Sequence, residues 1–501
     1  MPSDISRVLA FEAGVPQQCG MQLVRKRSNS DPVNKTNQPD WSTLIPVLPG
    51  EGPRTRALYL AIRQLIEAGS VPAGAKLPTS RDLATRLGMA RGAVVAAFET
   101  LIADGFAEAR VGAGTYVAAS VPLLVVSTPR PGRETDVYRP APGTLGPGAL
   151  GVQTPDARTL KIFRGLVSRH LGKLGAQHFA YGDPRGGQAL REAIATYLRS
   201  ARGVRCTADD IIVTSGTQQG LDLFIRAILR AGETVWVEDP CYPMARAALN
   251  GNGLRVAGVP IDAEGLDPER GEMIARDARA VYVTPSHQFP LGVAMTMRRR
   301  LALIDWAKRN DAWIIEDDYD SEFRFAGSPL TALQGVDDAG RVVYLGTFSK
   351  VLFPGLRVGY LVVPQALRDD ILALRSRTDR YPATLLEGPL TDFIRDRHSA
   401  AHLRRARRQT LAARDALVAA LKTNSRLDVQ VPDQGLHLLA RLPDGSDDVA
   451  LVERAAAAGV GARALSRLYV DAEPSQGLVI GFSGYSADVM GDAGRKIASL
   501  A

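Results

Sequence analysis

The stretch Thr347–Tyr360, TFSKVLFPGLRVGY, sets Lys350 among hydroxyl residues and an apolar, glycine-containing run that carries an arginine at position 357. Most lysines are solvated surface charges, and Lys is almost never buried without a partner. Chemistry gives a reason for this crowded setting. An amine that adds to a carbonyl must be neutral part of the time, and desolvation with nearby cations favours that form. Thr347 and Ser349 before the lysine and Arg357 after it supply donors and one fixed positive charge. Such donors suit a phosphate attached to the molecule the amine captures.

Working outward, apolar β-branched runs alternate with helical patterns. DIIVTSG precedes QQGLDLFIRAILRAG, TVWVEDP precedes MARAALNGNG, and AVYVTPS precedes RRRLALIDWAKRN. WIIEDDY and VVYLGTFSK follow. That alternation predicts an α/β domain with a mostly parallel sheet, and the last hundred residues read as a smaller α+β subdomain. In VTSGTQQG a strand passes into a helix through Ser215, Gly216, Thr217 and Gln218. The free N–H groups and dipole of that helix start make a second phosphate grip. IIEDDYDSEF ends a strand on carboxylates and a tyrosine. An Asp there suits a protonated pyridine nitrogen, and Tyr319 suits a phenolic oxygen. Tyr242, in EDPCYP, is available to stack on a ring. Each piece alone also reads as something ordinary: a helix start, a turn, a surface lysine. Their order along one α/β pattern carries the argument.

The 501 residues allow two or three domains with a substantial core. Net charge is +8, which fits a polyanionic partner without fixing one. Three cysteines without CxxC spacing suggest neither a disulfide framework nor a zinc site, so a reducing cytoplasm is expected. No apolar run approaches the ~18 residues of a membrane span, and the N-terminus has no secretory pattern. Residues 1–49 are polar and irregular, as in KRSNSDPVNKTNQPD, and read as a disordered tail. Residues 50–118 form a compact helical pattern, with Leu58, Ile62, Leu65 and Ile66 on one face. LPTSRDLATRLGMARGAVVAAFETLIADG then predicts two helices, with Ser80 as the first N-cap and Gly88 in the turn. Between Arg54 and Arg91 seven Lys or Arg face two acidic residues. Arg81 follows the expected cap and Arg91 opens the second helix, where a helix-turn-helix reaches phosphates and base edges. GFAEARVGAGTYV predicts a hairpin wing, with Gly112, Gly114 and Thr115 at a tip that lets backbone approach a groove. Residues 119–150 hold six prolines and four glycines, a linker composition. The bland reading of the N-terminal module is a small helical domain with solvated arginines. The run AHLRRARRQT likewise reads as a solvated helix face.

KLPTSRDLATRLGMARGAVVAAFETLIADGF resembles the winged helix-turn-helix of the GntR class of bacterial repressors, nearly end to end. Residues 151–501 resemble the fold-type-I pyridoxal-phosphate domain of the class I aminotransferases. That resemblance implies Lys350 as the Schiff-base lysine, Asp317 as partner of the pyridine nitrogen, and Tyr319 at the phenolic oxygen. It implies Ser215, Gly216, Thr217, Gln218, Thr347, Ser349 and Arg357 around the phosphate and Tyr242 against the ring. Tyr181, in YGDPRGG, is implied to reach the phosphate of a partner subunit. VTPSHQFPLG, IIEDDYDSEFRF and GTFSKVLFPGLRVGYLVVP resemble the MocR subfamily of transcription regulators specifically. The implied protein is a head-to-tail homodimer that binds double-stranded DNA through Ser80, Arg81, Arg91, Gly112 and Thr115, and pyridoxal 5'-phosphate as a sensor.

Two departures bear on function. Aminotransferases carry a substrate-carboxylate arginine in a late strand, yet that strand reads GLVIGFSGY, with no arginine between Arg467 and Arg495. A bidentate clamp, the main source of substrate orientation, is therefore missing there. An Asn-Pro-x-Gly turn is replaced by Phe289-Pro290-Leu291-Gly292 preceded by His287 and Gln288, and a contact of His287 with the cofactor stays open. A sensor of the cofactor or of an amine, a true aminotransferase with an accessory DNA module, and a structural dimer with a vestigial pocket remain as readings. The missing arginine tilts the first towards the cofactor itself, with Arg246 and Arg463 as alternative anion holders for an amine effector.

Overall fold

A computed structural model of the chain describes Trp41 and residues 54–120, 146–175, 180–327 and 330–501. These fall into two compact units, one up to Val137 and one from Tyr138. Most of the expected tail and residues 121–145 of the expected linker lie outside the described residues. Trp41 is the exception in the tail. Its indole Nε1 donates to Lys76 O at 3.0 Å, and it packs against the first unit's core.

That unit is three helices and a hairpin: α1 (Arg54–Glu67), α2 (Ser80–Leu87), α3 (Arg91–Ala103), β1 (Ala107–Arg110) and β2 (Gly114–Val117). Leu58, Ile62 and Ile66, at helical spacing, bury their side chains against Val94, Phe98 and Leu101 of α3. The cap of α2 is Thr79, one residue earlier than expected. Its backbone is extended and its Oγ1 accepts from the Asp82 N–H at 3.1 Å, while Ser80 is the first helical residue. Two adjacent hydroxyl residues look alike in sequence, and only the non-helical backbone of one of them decides which can cap. Gly88 ends α2 at φ 58, the left-handed conformation glycine tolerates best. β1 and β2 pair antiparallel from Ala107–Val117 to Arg110–Gly114, forming the expected wing.

The second unit is built on an eight-stranded sheet. Its strands are β3 (Ile211–Thr214), β4 (Thr234–Asp239), β5 (Arg255–Asp262), β6 (Gly265–Leu266), β7 (Ala278–Val283), β8 (Trp313–Asp318), β9 (Val342–Thr347) and β10 (Gly359–Val362). The order is β3-β10-β9-β8-β7-β4-β5-β6. β9, β8, β7, β4 and β5 are mutually parallel, and β10 runs antiparallel to both β3 and β9. Helices on both faces explain why β3, β4, β9 and β10 are buried at every position rather than at alternate ones. This architecture gathers the site. Ligands of such sheets sit beyond the carboxyl ends of the strands. Ser215 follows β3, Asp317 lies near the end of β8, and Lys350 follows β9. Because β10 is reversed, its first residue, Gly359, pairs with both Thr214 and Thr347, so Arg357 just before it arrives at the same edge.

The smaller sheet is antiparallel, in the order β11 (Asp428–Gln430), β12 (His437–Arg441), β14 (Gly477–Gly481), β13 (Arg463–Ala464). The helices His398–Leu421, Asp448–Ala457 and Ala487–Leu500 pack on it, giving the expected α+β subdomain. The His398–Leu421 helix differs from the solvated face expected. His402 is buried with Nε2 at 2.7 Å from Val351 O, and Arg405 pairs with Asp156 at 2.8 Å. Arg404 and Arg408 alone of its arginine run are exposed. Among the described residues no helix is long and apolar enough to cross a membrane.

A strap of residues 146–152 lies along the small sheet. Gly461 N donates to Pro147 O and Gly481 N to Gly148 O, both at 2.8 Å, and Ser483 Oγ donates to Val152 O at 2.6 Å. The approach is backbone to backbone. A Cβ on Gly148 would collide with the Gly461 carbonyl, and one on Gly481 with that of Ala149.

Candidate functional site

A cavity of about 230 Å³ opens at the strand ends. Ten of the sequence candidates line it: Gly216, Thr217, Gln218, Tyr242, Asp317, Tyr319, Thr347, Ser349, Lys350 and Arg357. Ser215 and Tyr181 do not. Ser215 sits one residue back, its N–H donating to Gln219 Oε1 at 2.6 Å. Tyr181 is 75% exposed, with the Arg380 guanidinium 4.4 Å from its ring centroid.

One end of the cavity is a grip for an anion. The helix α6 (Thr217–Ile228) begins after Gly216 with no side-chain cap, so its first N–H groups keep their donor capacity. Arg357 adopts φ 53, an uncommon conformation for a non-glycine residue, after the short turn Pro354–Leu356. Its guanidinium comes so close to Gly216 that a Cβ there would sit 3.5 Å from Nη1. Thr347 Oγ1 accepts from the Ser349 N–H at 3.1 Å, folding the segment before Lys350 into a tight turn.

Asp317 forms the floor. Tyr282 donates to its Oδ2 at 2.5 Å, whereas its Oδ1 is buried with no hydrogen-bond partner among the described residues. Burial, countered by the Tyr282 bond and assisted by Asp318, pushes this carboxyl up to about 7. A buried acceptor without a donor is costly, so Oδ1 calls for a cationic N–H from whatever fills the cavity.

Lys350 stands between floor and grip. Its Nζ lies 3.4 Å from Gly151 O, the far end of the strap. Burial holds this amine below the ordinary lysine value, against the pull of Asp320 and Asp317 and with help from the Arg463 charge. That is the condition a carbonyl-adding amine needs. Gly151, at φ 75, holds a backbone conformation that side chains rarely adopt, and a Cβ there would push the lysine nitrogen aside.

Tyr319 lines the cavity, but its hydroxyl reaches His287, at 3.0 Å from the carbonyl oxygen and 3.2 Å from Nδ1. His287 itself does not line this cavity; it stands behind Tyr319. Several lining residues gave no sequence signal. Tyr282, Thr284, Phe289, Leu436 and His437 were not candidates, nor were Leu150 and Gly151 of the strap. Tyr282 lies inside a strand run with nothing to distinguish it in sequence, and its role follows only from β7 lying beside β8. Of the two alternative arginines, Arg463 lines the cavity from β13. Arg246 instead donates to Tyr469 O at 2.8 Å.

In the first unit Arg81 and Arg91 are exposed, and Ser80 Oγ accepts from Arg91 Nε at 3.4 Å, so Ser80 and Arg91 meet at one surface. Gly112 is exposed at the hairpin turn, and Thr115 is half-buried on β2 with its carbonyl accepting from Leu77 N–H at 2.9 Å.

Comparison with known proteins finds the same two kinds of domain. Residues 54–117 match the family of bacterial regulatory proteins of the gntR type, and residues 172–475 match aminotransferases of class I and II. The chain is 36% identical over 462 residues to the probable rhizopine catabolism regulatory protein MocR of Rhizobium meliloti, covering 87% of this chain and 92% of that one. It is 32% identical over 429 residues to the pyridoxine biosynthesis transcriptional regulator PdxR of Corynebacterium glutamicum, covering 86% and 92%. Among solved structures, the kynurenine aminotransferase of Pyrococcus horikoshii is similar, with a TM-score of 0.65, 28% identity, and coverage of 71% of this chain and 91% of that one.

Proposed function

We propose a function from one premise: this chain belongs to the MocR-type family, gntR-class regulators that join a DNA-binding module to a class I and II aminotransferase domain. It is a transcription regulator that binds pyridoxal 5'-phosphate and senses through it. Residues 50–118 are the DNA-binding domain, 119–150 a linker and 151–501 the cofactor domain, in a head-to-tail homodimer of the bacterial cytoplasm. The regulators it resembles are named for rhizopine catabolism and for pyridoxine biosynthesis.

The observation that carries the reading is the unpartnered Oδ1 of Asp317, a residue that lines the same cavity as Lys350 and Arg357. A pyridine N–H would satisfy that oxygen. Arg357, Thr217 and the start of α6 would hold the phosphate, with Gln218, Thr347 and Ser349 beside them. Tyr242, set edge-on to Phe289 with centroids 5.6 Å apart, offers a ring wall. Bound there, the cofactor supplies an aldehyde carbon on an electron-withdrawing ring. Lys350 is the amine that would take that aldehyde, and its lowered basicity raises the share of the neutral form that can do so. Tyr181 would serve the partner subunit's phosphate, in keeping with its exposure. On the DNA side, Arg91 and Arg81 read and position, with Ser80, Gly112 and Thr115 near the backbone.

A second reading of the signal is favoured by Arg463. Its place in the cavity wall supplies an anion holder that the late strand lacks, so an amine with a carboxylate or sulfonate is the favoured effector over the cofactor alone. The test combines two measurements. Purified protein should gain a visible absorbance band with pyridoxal phosphate, and its affinity for the DNA upstream of its own gene should change when cofactor or anionic amine is added. No band ends the cofactor reading. Steady conversion of amino acids to keto acids at several turnovers per second would establish the enzyme instead.

A further inference from the structure

We infer that His287 and Asp320 form a positioning pair for Tyr319, fixing how strongly its hydroxyl bonds the cofactor's phenolic oxygen. The inference rests on the pyridoxal-phosphate reading above and names a regulator of that same site. His287 and Asp320 are each 1% exposed, and His287 Nδ1 lies 3.0 Å from Asp320 Oδ2. The same carboxylate oxygen accepts from the Leu436 N–H at 3.1 Å. A carboxylate only accepts, so Nδ1 carries the proton and Nε2 is the bare nitrogen. Consistent with that, Nε2 is buried and has no hydrogen-bond partner among the described residues, hence no acceptor for a proton of its own. The Nδ1 proton also lies within reach of the Tyr319 oxygen, at 3.2 Å. A donor to a phenol oxygen makes its O–H the stronger donor in turn, because hydrogen bonds in series polarise one another. Tyr319 now gives its proton to His287 O at 3.0 Å. A phenolic oxygen in the cavity would compete for that proton with a negative charge, which a carbonyl lacks. Asp320 thus orients His287, and His287 primes Tyr319.

The steric frame is equally specific. A Cβ on Gly435 would overlap the His287 ring, and His437 closes the other side at 4.8 Å between ring centroids. The titratable groups around Tyr319 are Asp317, Asp318 and Asp320 on its own segment, Glu238 from β4, His287, His437 from β12, and Lys350. Burial keeps His437 well below the usual histidine value, so it stays neutral and adds no competing charge.

The readout is the pH midpoint of the cofactor's visible band in reconstituted protein. A phenolic oxygen that keeps its charge through Tyr319 holds the Lys350 nitrogen's proton less tightly. Weakening that bond raises the midpoint. Tyr319→Phe should raise it, and His287→Ala should raise it by roughly half a unit to one unit, the scale of one hydrogen bond. Asp320→Asn is not comparable, because it also removes a charge that itself raises the Lys350 nitrogen's proton affinity. His287→Asn, which keeps a donor, should restore part of the shift and serves if the alanine variant does not fold. In a Tyr319→Phe background, His287→Ala should add nothing. An unshifted midpoint in the folded His287 variants, or the same shift with and without the Tyr319 hydroxyl, overturns the inference. Should the wild type take up no cofactor, the function proposed above fails and the pair is judged separately, by nitrogen-15 histidine spectra of the cofactor-free protein. His287 should show the Nδ1–H tautomer and move on Tyr319→Phe. An Nε2–H tautomer, or no response, sinks it.

Discussion

Asp317 shows how one atom turns a pocket into a cofactor site. A carboxyl pushed up to about 7 by burial is protonated in the empty cavity below neutrality and must ionise to meet a pyridine N–H. The sign follows. Its folded value lies above the unfolded one, so its stabilising contribution is present at low pH and is lost as pH rises through about 7. Cofactor binding replaces the lost proton with a cation. The gain in melting temperature on adding pyridoxal phosphate should therefore be larger at pH 8 than at pH 6, and Asp317→Asn should flatten that difference by about one proton's worth of slope, read by differential scanning fluorimetry across pH. Lys350→Ala should abolish the visible band while phosphate-driven binding persists weakly. Lys350 and Asp317 were legible because a nucleophilic lysine and a strand-end carboxylate stand beside quoted motifs. His437 and Tyr282 were not, since a histidine or tyrosine inside an apolar run looks like core until its neighbouring strand is known.

Elements fix where these residues stand, and two can be tested directly. The Thr79 cap joins the start of α2 to the turn before it, so Thr79→Ala should cost the first unit about 1 kcal/mol, visible in chemical denaturation. Arg91→Ala leaves every buried contact of α3 in place. It should weaken specific DNA binding by about 1–3 kcal/mol and leave the cofactor band unchanged. The strap is the element the sequence concealed. Its composition of glycine and proline reads as linker, yet the contacts that seat Gly146–Leu150 are made by backbone to glycines more than three hundred residues away in the chain. No local pattern encodes such pairing. Gly151→Ala should keep the fold and lose the band, because the new methyl meets the Lys350 nitrogen. Gly148→Ala should instead lower the thermal stability of the second unit, as overpacking against fixed backbone does.

At the scale of the whole chain, the fold class was legible because alternating strand and helix runs leave few topologies, and a helix pair with a wing leaves fewer. The reversed β10 was not, although it alone brings Arg357 to the site; antiparallel insertion depends on register across three strands. Each unit has its own buried core, around Leu58 and Leu101 in one and around Phe224 and Leu345 in the other. The proposed sensing is therefore a coupling free energy between a site in one unit and a site in the other. Such coupling is reciprocal: if the cofactor or an anionic amine changes DNA affinity by some factor, DNA must change the affinity for that ligand by the same factor. Regulatory couplings of this kind are typically 5–150-fold. Titrating the visible band with and without a saturating promoter fragment should thus show a shift equal to that seen when DNA binding is titrated with and without the ligand. Arg463→Ala should remove the amine-dependent part of both shifts together and leave the cofactor-dependent part. Equal ligand affinity in the presence and absence of DNA, for both cofactor and anionic amines, would leave a chain that binds both partners and connects neither, and the sensor reading would fall.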